Sequence, residues 1–266
     1  MNADLAKYIR PSGLESEQPP SLVYTYLKAE YALVDILSMS LRTCDAASTN
    51  DPFEYDWDVV FDPKLRITPE LILERERIIE DTKKDAAARM KFISFSDSPV
   101  NPLLWSFYGD RHKGVCLGIS SSLQIGQGNG MEKVEYDNPV KIPVGTVKRP
   151  DEEDQERLKH YFRAKRIEWK HEKEWRLLIP ATNPRMMANK DGTWDFRLTE
   201  TDIETIVFGS QCSVADIGRI GLACLKQKLN VKFEASKCEL ETFTIATDLL
   251  SPEVMDYCMR RALYRE

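Results

Sequence analysis

The chain has 266 residues, of which 42% are hydrophobic and 30% are charged, a composition typical of one large or two small globular domains. Its formal net charge of −6 gives no support to non-specific binding of nucleic acid or acidic membranes, and no apolar run is long enough to cross a bilayer. With the polar N-terminal segment, these features predict a cytoplasmic protein that has no membrane partner.

The N-terminal region predicts a loose arm, a strand, a helix and a loop. We expect residues 1–20 to form a flexible arm and residues 21–266 to form one domain. The aromatic and β-branched run 22–26 predicts a strand, and the apolar spacing of residues 28–39 predicts a buried helix. A loop with Pro52 follows. Its polar side chains either bond their own backbone or face a substrate; they are Asn50, Asp51 and Glu54.

The next segment predicts an exposed helix followed by a strand with two serines on one face. Thr68-Pro69-Glu70 is a typical helix start, and the charged helix should run to about Met90. Residues 91–96 alternate as in a strand, which places Ser94 and Ser96 on the same face. Their hydroxyl groups either position a ribose or bond nearby backbone.

A short helix over residues 101–108 carries two aromatic side chains three positions apart, Trp105 and Tyr108. These rings share a helix face, which suits either the core or a stacking platform for a cofactor. His112 and Lys113 follow in a basic loop that either binds phosphate or forms a solvated turn, and residues 114–119 predict a buried strand.

The most informative segment is Glu172-Lys173-Glu174-Trp175-Arg176, which follows a predicted charged helix over residues 152–169. In a strand, Glu172, Glu174 and Arg176 share one face, while Trp175 and two further apolar residues point to the core. The charged face is either a catalytic edge or a partly exposed ion-pair ladder. Arg176 either holds Glu174 or binds phosphate.

The C-terminal region continues the mixture of strands and helices. Residues 203–209 and 231–234 predict strands, residues 213–229 predict a helix that a capping box begins, and Ser251-Pro252-Glu253 begins a final helix. The order predicts an α+β fold with a mixed, mostly antiparallel central sheet, continuous or split, flanked by helices. No cysteine or histidine spacing matches a zinc site, so no metal is expected.

Three segments together resemble an uncharacterised bacterial family, domain of unknown function twenty-nine seventy-one (DUF2971). They are Asn50–Glu54 with the preceding strand and helix, then Phe95-Ser96 with Trp105–Val115, then Lys165, Trp169 and Glu172–Arg176. The resemblance spans roughly Tyr24 to Cys212. Phe107 departs from it, because the family is expected to have His or a similar polar residue there.

The order of the motifs also resembles the ADP-ribosyltransferase fold, whose members split NAD. The matching segments are Tyr24-Thr25-Tyr26 with its helix, Ser94-Phe95-Ser96 with residues 105–119, and Glu172-Lys173-Glu174. The His or Arg expected on the first strand is absent, and Arg42 is a candidate replacement. The resemblance implies Glu174 as catalytic carboxylate and Glu172 as the group that orients the acceptor or water.

From this resemblance we expect an NAD-consuming ADP-ribosyltransferase or NAD glycohydrolase of a bacterial defence or toxin type. NAD would be the substrate, and the acceptor would be water, a protein or a nucleic acid. The residues assigned to the nucleotide are Tyr24, Ser94, Ser96, Trp105, Tyr108, His112, Lys113 and Arg176. Two alternatives are a nuclease that holds Mg²⁺ with its acidic residues and a non-catalytic module that binds a nucleotide or a partner.

Overall fold

The computed structural model describes residues 18–45, 49, 51, 58–60, 68–123, 130–136, 141–143, 162–242 and 244–264. The α-helices are α1 (Ala29–Ser38), α2 (Pro69–Arg89), α3 (Pro102–Phe107), α4 (Val214–Lys226) and α5 (Pro252–Tyr264), and Ile167–Glu172 forms a 3-10 helix. Helices and strands intermingle along the chain, which confirms the α+β class. Among the described helices, none combines the length and the apolar character that a bilayer span requires.

The strands of these residues are short. They are β1 (Leu22–Leu27), β2 (Ser40–Arg42), β3 (Asp58–Val60), β4 (Met90–Ser96), β5 (Val115–Ser120), β6 (Met131–Lys133), β7 (Glu135–Tyr136), β8 (Lys141–Pro143), β9 (Ala164–Lys165), β10 (Glu174–Pro180), β11 (Met186–Ala188), β12 (Trp194–Arg197), β13 (Ile203–Phe208), β14 (Lys232–Glu239) and β15 (Thr244–Leu249).

The largest sheet has eight strands in the order β15-β14-β13-β5-β1-β4-β10-β6. All neighbours are antiparallel except β13 and β14, which are parallel. A parallel pair needs a crossover connection, and α4 supplies it between these two strands. The predicted mixed, mostly antiparallel sheet is therefore confirmed.

The middle of this sheet has a narrow seam between β1 and β4. β1 pairs with β5 along its whole length, and β4 pairs with β10 from Ser96 to Met90. In contrast, β1 and β4 pair only at Tyr24 and Ser96. The Tyr26 hydroxyl group donates to the Ser98 carbonyl oxygen (2.7 Å) and accepts from the Asn101 backbone N–H (3.2 Å), which ties the strand to the start of α3. The sheet is thus continuous, with its two parts joined at one residue pair.

The hydrophobic core lies between one face of this sheet and the helices α1 and α4. Trp175, Leu177 and Ile179 of β10 point into this core and are 3%, 1% and 0% exposed, as their alternation predicts. Burial of each such side chain stabilises the fold by about 2–3 kcal/mol. The opposite face of β10 is buried as well, because Glu174 and Arg176 are 2% and 1% exposed. The interpretation of this face as a partly exposed ladder is therefore wrong.

The predicted α-helix over residues 152–169 is wrong from residue 164 onward. Residues 162 and 163 are helical, but Ala164–Lys165 forms β9 and pairs with Glu135–Tyr136 in parallel; residues 152–161 lie outside the described part. The 3-10 helix then covers Trp169. Tertiary pairing overrides helical propensity in this segment, since β9 brings Lys165 to two buried carboxylates.

A second sheet, β11-β12-β2, contacts the end of α1. Near it, burial and the charge of Asp195 raise the pKa of Asp35 to about 7, although Arg42 opposes the shift. The Asp35 pKa is higher in the folded than in the unfolded chain. Its contribution to stability is therefore complete below about pH 4 and declines as the pH rises through 7.

We expect Asp35→Asn to stabilise the protein at about pH 8 and to change little at about pH 4, because Asn cannot ionise. A rise of the Asp35 pKa from 3.8 to about 7 corresponds to about 4 kcal/mol, but contact of Asp35 with water reduces the expected gain to about 1–2 kcal/mol. Urea unfolding of both proteins at the two pH values measures it. Equal pH dependence of the two unfolding free energies would show that Asp35 titrates normally.

Candidate functional site

The three sequence motifs meet in one row across the sheet. Tyr24 on β1 lies opposite Ser96 on β4, and Ser96 lies opposite Glu174 on β10. Directly opposed residues of antiparallel strands point to the same face, and neighbouring strands are about 4.8 Å apart. Ser94 lies opposite Arg176 on this same face. The fold thus aligns the strands of three distant segments side by side.

Glu174 is the centre of a buried polar cluster. Its Oε1 accepts hydrogen bonds from Ser94 Oγ (2.5 Å) and Arg176 Nε (2.7 Å). Its Oε2 accepts from Lys165 Nζ (2.8 Å) and Arg176 Nη2 (3.2 Å). Burial alone would raise the pKa of this carboxyl group, but the charges and hydrogen bonds of Arg176 and Lys165 outweigh it, and the pKa falls to about 2. Glu174 is therefore ionised at neutral pH.

Ser94 connects this buried cluster to solvent. It is exposed, although its neighbours Phe92, Ile93, Phe95 and Ser96 on the same strand are all buried. Because its hydroxyl group is bonded to Glu174, a ligand that reaches Ser94 comes within one hydrogen bond of the buried carboxylate.

Glu172 does not share the strand face of Glu174 as the alternation predicts. It is the last residue of the 3-10 helix, and Lys173 has a left-handed backbone (φ 47°) that turns the chain into β10. The Glu172 carboxylate nevertheless reaches the cluster, where it accepts from Tyr108 Oη (2.8 Å) and Lys165 Nζ (2.5 Å). The Glu172 carbonyl oxygen accepts from Ser96 Oγ (2.9 Å).

Arg176 pairs with Glu174 and does not reach solvent. Its Nη1 donates to the Phe162 carbonyl oxygen (2.7 Å), and its guanidinium lies 4.8 Å from the centre of the Phe92 ring. Arg176 is only 1% exposed, so its guanidinium holds the Glu174 carboxylate in place and is not accessible to a phosphate group.

Two members of the cluster were not predicted as site residues. Lys165 bridges Glu172 and Glu174, and its only sequence signal was its place in the third segment of the family resemblance. The Tyr136 hydroxyl group accepts a hydrogen bond from the Glu174 backbone N–H (2.7 Å), and burial raises the pKa of Tyr136. The short β7–β9 pairing sets Tyr136 opposite Lys165, a contact that no local pattern signals.

The two aromatic residues that were predicted to share a helix face, Trp105 and Tyr108, have different roles. Trp105 is fully buried, donates to the Pro99 carbonyl oxygen (2.8 Å) and packs edge-on against Tyr26 (5.1 Å between ring centres), so it belongs to the core and forms no platform. Tyr108 follows the helix, is half-buried and donates to Glu172.

The basic loop after α3 is a strained left-handed turn. Asp110, Arg111 and His112 have φ values of 47°, 54° and 67°, each costing about 1 kcal/mol for a residue with a side chain. The His112 ring stacks on Trp105 at 6.0 Å, while Arg111 and Lys113 are exposed. A pocket of about 500 Å³ lies beside this turn. Its lining residues are Lys28, Ser106, Phe107, Tyr108, Asp110 and Arg111.

Two further residues from the sequence analysis, Tyr24 and Arg42, lie outside the cluster. The Tyr24 ring extends over Gly118 of β5, away from Glu174, and burial raises its pKa. Arg42 lies in the second sheet and pairs with Asp195 (2.7 Å), so the expectation that it replaces the missing residue of β1 is wrong. Asp51 is buried, whereas Asn50 and Glu54 lie outside the described residues.

Across the part of the chain that the structure describes, no group of three or more His, Cys, Asp or Glu side chains is placed to hold a metal ion. The two carboxylates of the buried cluster, Glu172 and Glu174, share Lys165.

Comparison with known proteins gives one match. Residues 104–177 match the family model described as Protein of unknown function (DUF2971), which supports the resemblance stated above. The matched segment contains Tyr108, Lys165, Glu172, Glu174 and Arg176. No curated protein and no solved structure matches the chain significantly.

Proposed function

We propose that this protein cleaves the bond between nicotinamide and ribose in NAD, as an ADP-ribosyltransferase or an NAD glycohydrolase. The observation that supports it most is the hydrogen bond between exposed Ser94 and buried, ionised Glu174, in a row where three distant motifs meet. A fixed carboxylate beside an accessible hydroxyl group is the arrangement that a ribose-binding catalytic site needs.

The chemistry follows from the charge that develops on the sugar. As the nicotinamide–ribose bond lengthens, positive charge grows on the ribose ring, and a fixed carboxylate facing it lowers the barrier. Glu174 has this role in the proposal, because Arg176 and Lys165 keep it ionised and in place. A ribose hydroxyl group would donate to Ser94 Oγ, which keeps its own hydrogen bond to Glu174 Oε1.

Glu172 is the second carboxylate of the proposal. It lies beside Tyr108 and shares Lys165 with Glu174, so it is placed to orient water or another acceptor. One lysine holds both carboxylates, which fixes their relative positions before substrate arrives. Such preorganisation lowers the cost of reaching the transition state.

The nuclease alternative receives less support from this cluster. A magnesium ion needs carboxylate oxygens that are available to it. Here the oxygens of Glu174 already accept from two cationic side chains and a serine. The other alternative is a non-catalytic protein that binds a nucleotide. Such a protein would bind NAD without releasing nicotinamide.

The test is nicotinamide release from NAD, measured with water, protein and nucleic acid offered as acceptors. We expect Ser94→Ala to slow release about tenfold, because it removes one hydrogen bond to a charged group. Ser122→Ala is the matched control, since it removes an exposed hydroxyl group that bonds Ser120 near the end of β5. If the unmodified protein releases no nicotinamide with any of these acceptors, the proposal is rejected.

A further inference from the structure

A row of three aromatic rings, exposed at Phe107 and half-buried at His171 and Trp169, runs along the outer side of the candidate site. Phe107 is 64% exposed, and its ring lies 6.4 Å from the ring of His171. The His171 ring stacks on that of Trp169 at 6.1 Å. Phe107 is the position where the family resemblance predicts a polar residue, so this chain carries an apolar ring where a hydrophilic side chain was expected.

Positive charge borders this row at both ends. Arg166, Lys170 and Lys173 are exposed beside Trp169 and His171, where Glu168 lies near Arg166 and Asp97 lies 3.8 Å from Lys173. At the other end, Lys28, Arg111 and one acid, Asp110, line the pocket of about 500 Å³ next to Phe107. Five cations against three acids leave the local charge positive, although the whole chain has a net charge of −6.

The row is attached rigidly to the buried cluster. Asn101 Nδ2 donates to the His171 carbonyl oxygen (2.6 Å), and Lys165 Nζ lies 5.0 Å from the centre of the Trp169 ring. Tyr108, the neighbour of Phe107, donates to Glu172. A ligand stacked on these rings would therefore lie next to Glu172.

We infer that this aromatic row, Phe107–His171–Trp169, binds single-stranded nucleic acid. Exposed rings that accept stacked bases, bordered by cations that follow the phosphates, are the general means by which proteins hold single strands. A duplex keeps its bases stacked on one another and cannot offer them to these rings. The rings select a single strand, because only unpaired bases can stack on them. The lysine and arginine side chains at the border select an anionic polymer.

The bound strand would be the acceptor of the ADP-ribosyl group, a step that rests on the proposed function. The bond from the ribose C1′ to nicotinamide breaks and its electron pair leaves with nicotinamide. A bond forms from C1′ to a nitrogen or oxygen of a base, and the proton displaced from that atom passes to Glu172.

Fluorescence anisotropy of the full chain tests the binding, with labelled single strands of DNA and RNA of about a dozen nucleotides and a duplex of equal length. We expect Phe107→Ala and Trp169→Ala each to weaken single-strand binding about 5- to 100-fold. Tyr257→Ala is the matched control, because Tyr257 is an exposed aromatic residue (56%) on α5.

The salt dependence of binding tests the charged border. We expect Lys170→Ala with Lys173→Ala to lower the slope of log affinity against log salt by about 1 for each phosphate that the variant no longer neutralises. Lys226→Ala with Lys232→Ala should leave the slope unchanged, since these lysines lie on α4 and β14.

Four results would overturn the inference. Three concern binding: no single-strand binding at low salt, equal affinity of the Phe107 and Tyr257 variants, or equal affinity for the duplex. Nicotinamide release that modifies only protein acceptors would also overturn it and leave the proposed function in place. Single-strand binding without nicotinamide release in any condition would reject the proposed function and support the binding surface. Far-UV circular dichroism confirms that each variant is folded.

Discussion

Replacing Glu174 by Gln is expected to slow nicotinamide release from NAD by about 10²–10³-fold, because a neutral amide cannot stabilise positive charge on the ribose. Gln has nearly the same size, so the change removes the charge and leaves the shape of the cluster. The measurement is the rate of nicotinamide release at saturating NAD for the variant and the unmodified protein.

The substitution also perturbs a buried ion cluster, so stability must be controlled. Asp202→Asn is the matched control, since Asp202 is a buried acid (7% exposed) that pairs with Arg185 and accepts a hydrogen bond from the Thr199 backbone N–H (2.7 Å) in another part of the fold. We expect it to lower stability and to leave the rate per folded molecule unchanged. A folded Glu174→Gln protein with an undiminished rate would remove Glu174 from the mechanism.

Replacing Arg176 by Met is expected to lower the free energy of unfolding by about 3–5 kcal/mol, the usual cost of breaking a buried ion pair from one side. Met fills part of the space beside Phe92 but cannot donate, so Glu174 loses two hydrogen bonds and the Phe162 carbonyl oxygen loses one. Urea or guanidinium unfolding measures the loss of stability.

The double variant with Glu174→Gln and Arg176→Met separates pairing from packing. When both partners are neutral, no uncompensated charge remains in this pair, and the double variant should be more stable than the sum of the single losses predicts. Additive losses would show that the two side chains contribute independently, which would contradict the pairing described here.

The strand pattern of residues 172–180 predicted part of the cluster correctly. Alternation placed Glu174 and Arg176 on one face and Trp175 on the other, because the period of a strand is a local property. It misplaced Glu172, since the left-handed backbone of Lys173 begins the strand two residues later than the charge pattern indicates.

The alternating pattern of β10 could not predict that its polar face, with Glu174 and Arg176, is buried. Alternation between charged and apolar residues normally means that one face meets water. Here the segment from Phe162 to Glu172 contacts that face, and Lys165 together with Arg176 neutralises the two carboxylates of the cluster. These contacts depend on the two-residue pairing of β7 with β9, which is too short to produce a recognisable period.

The single pair between Tyr24 and Ser96 has a consequence for motion. The hydrogen-bond ladders on either side of it, β1 with β5 and β4 with β10, can each stay intact while the angle between them changes. Such a sheet can act as a hinge with two cooperative units, each with its own opening free energy. Motion at this seam would shift β1 relative to β4, while the β4–β10 ladder would keep Ser94 bonded to Glu174.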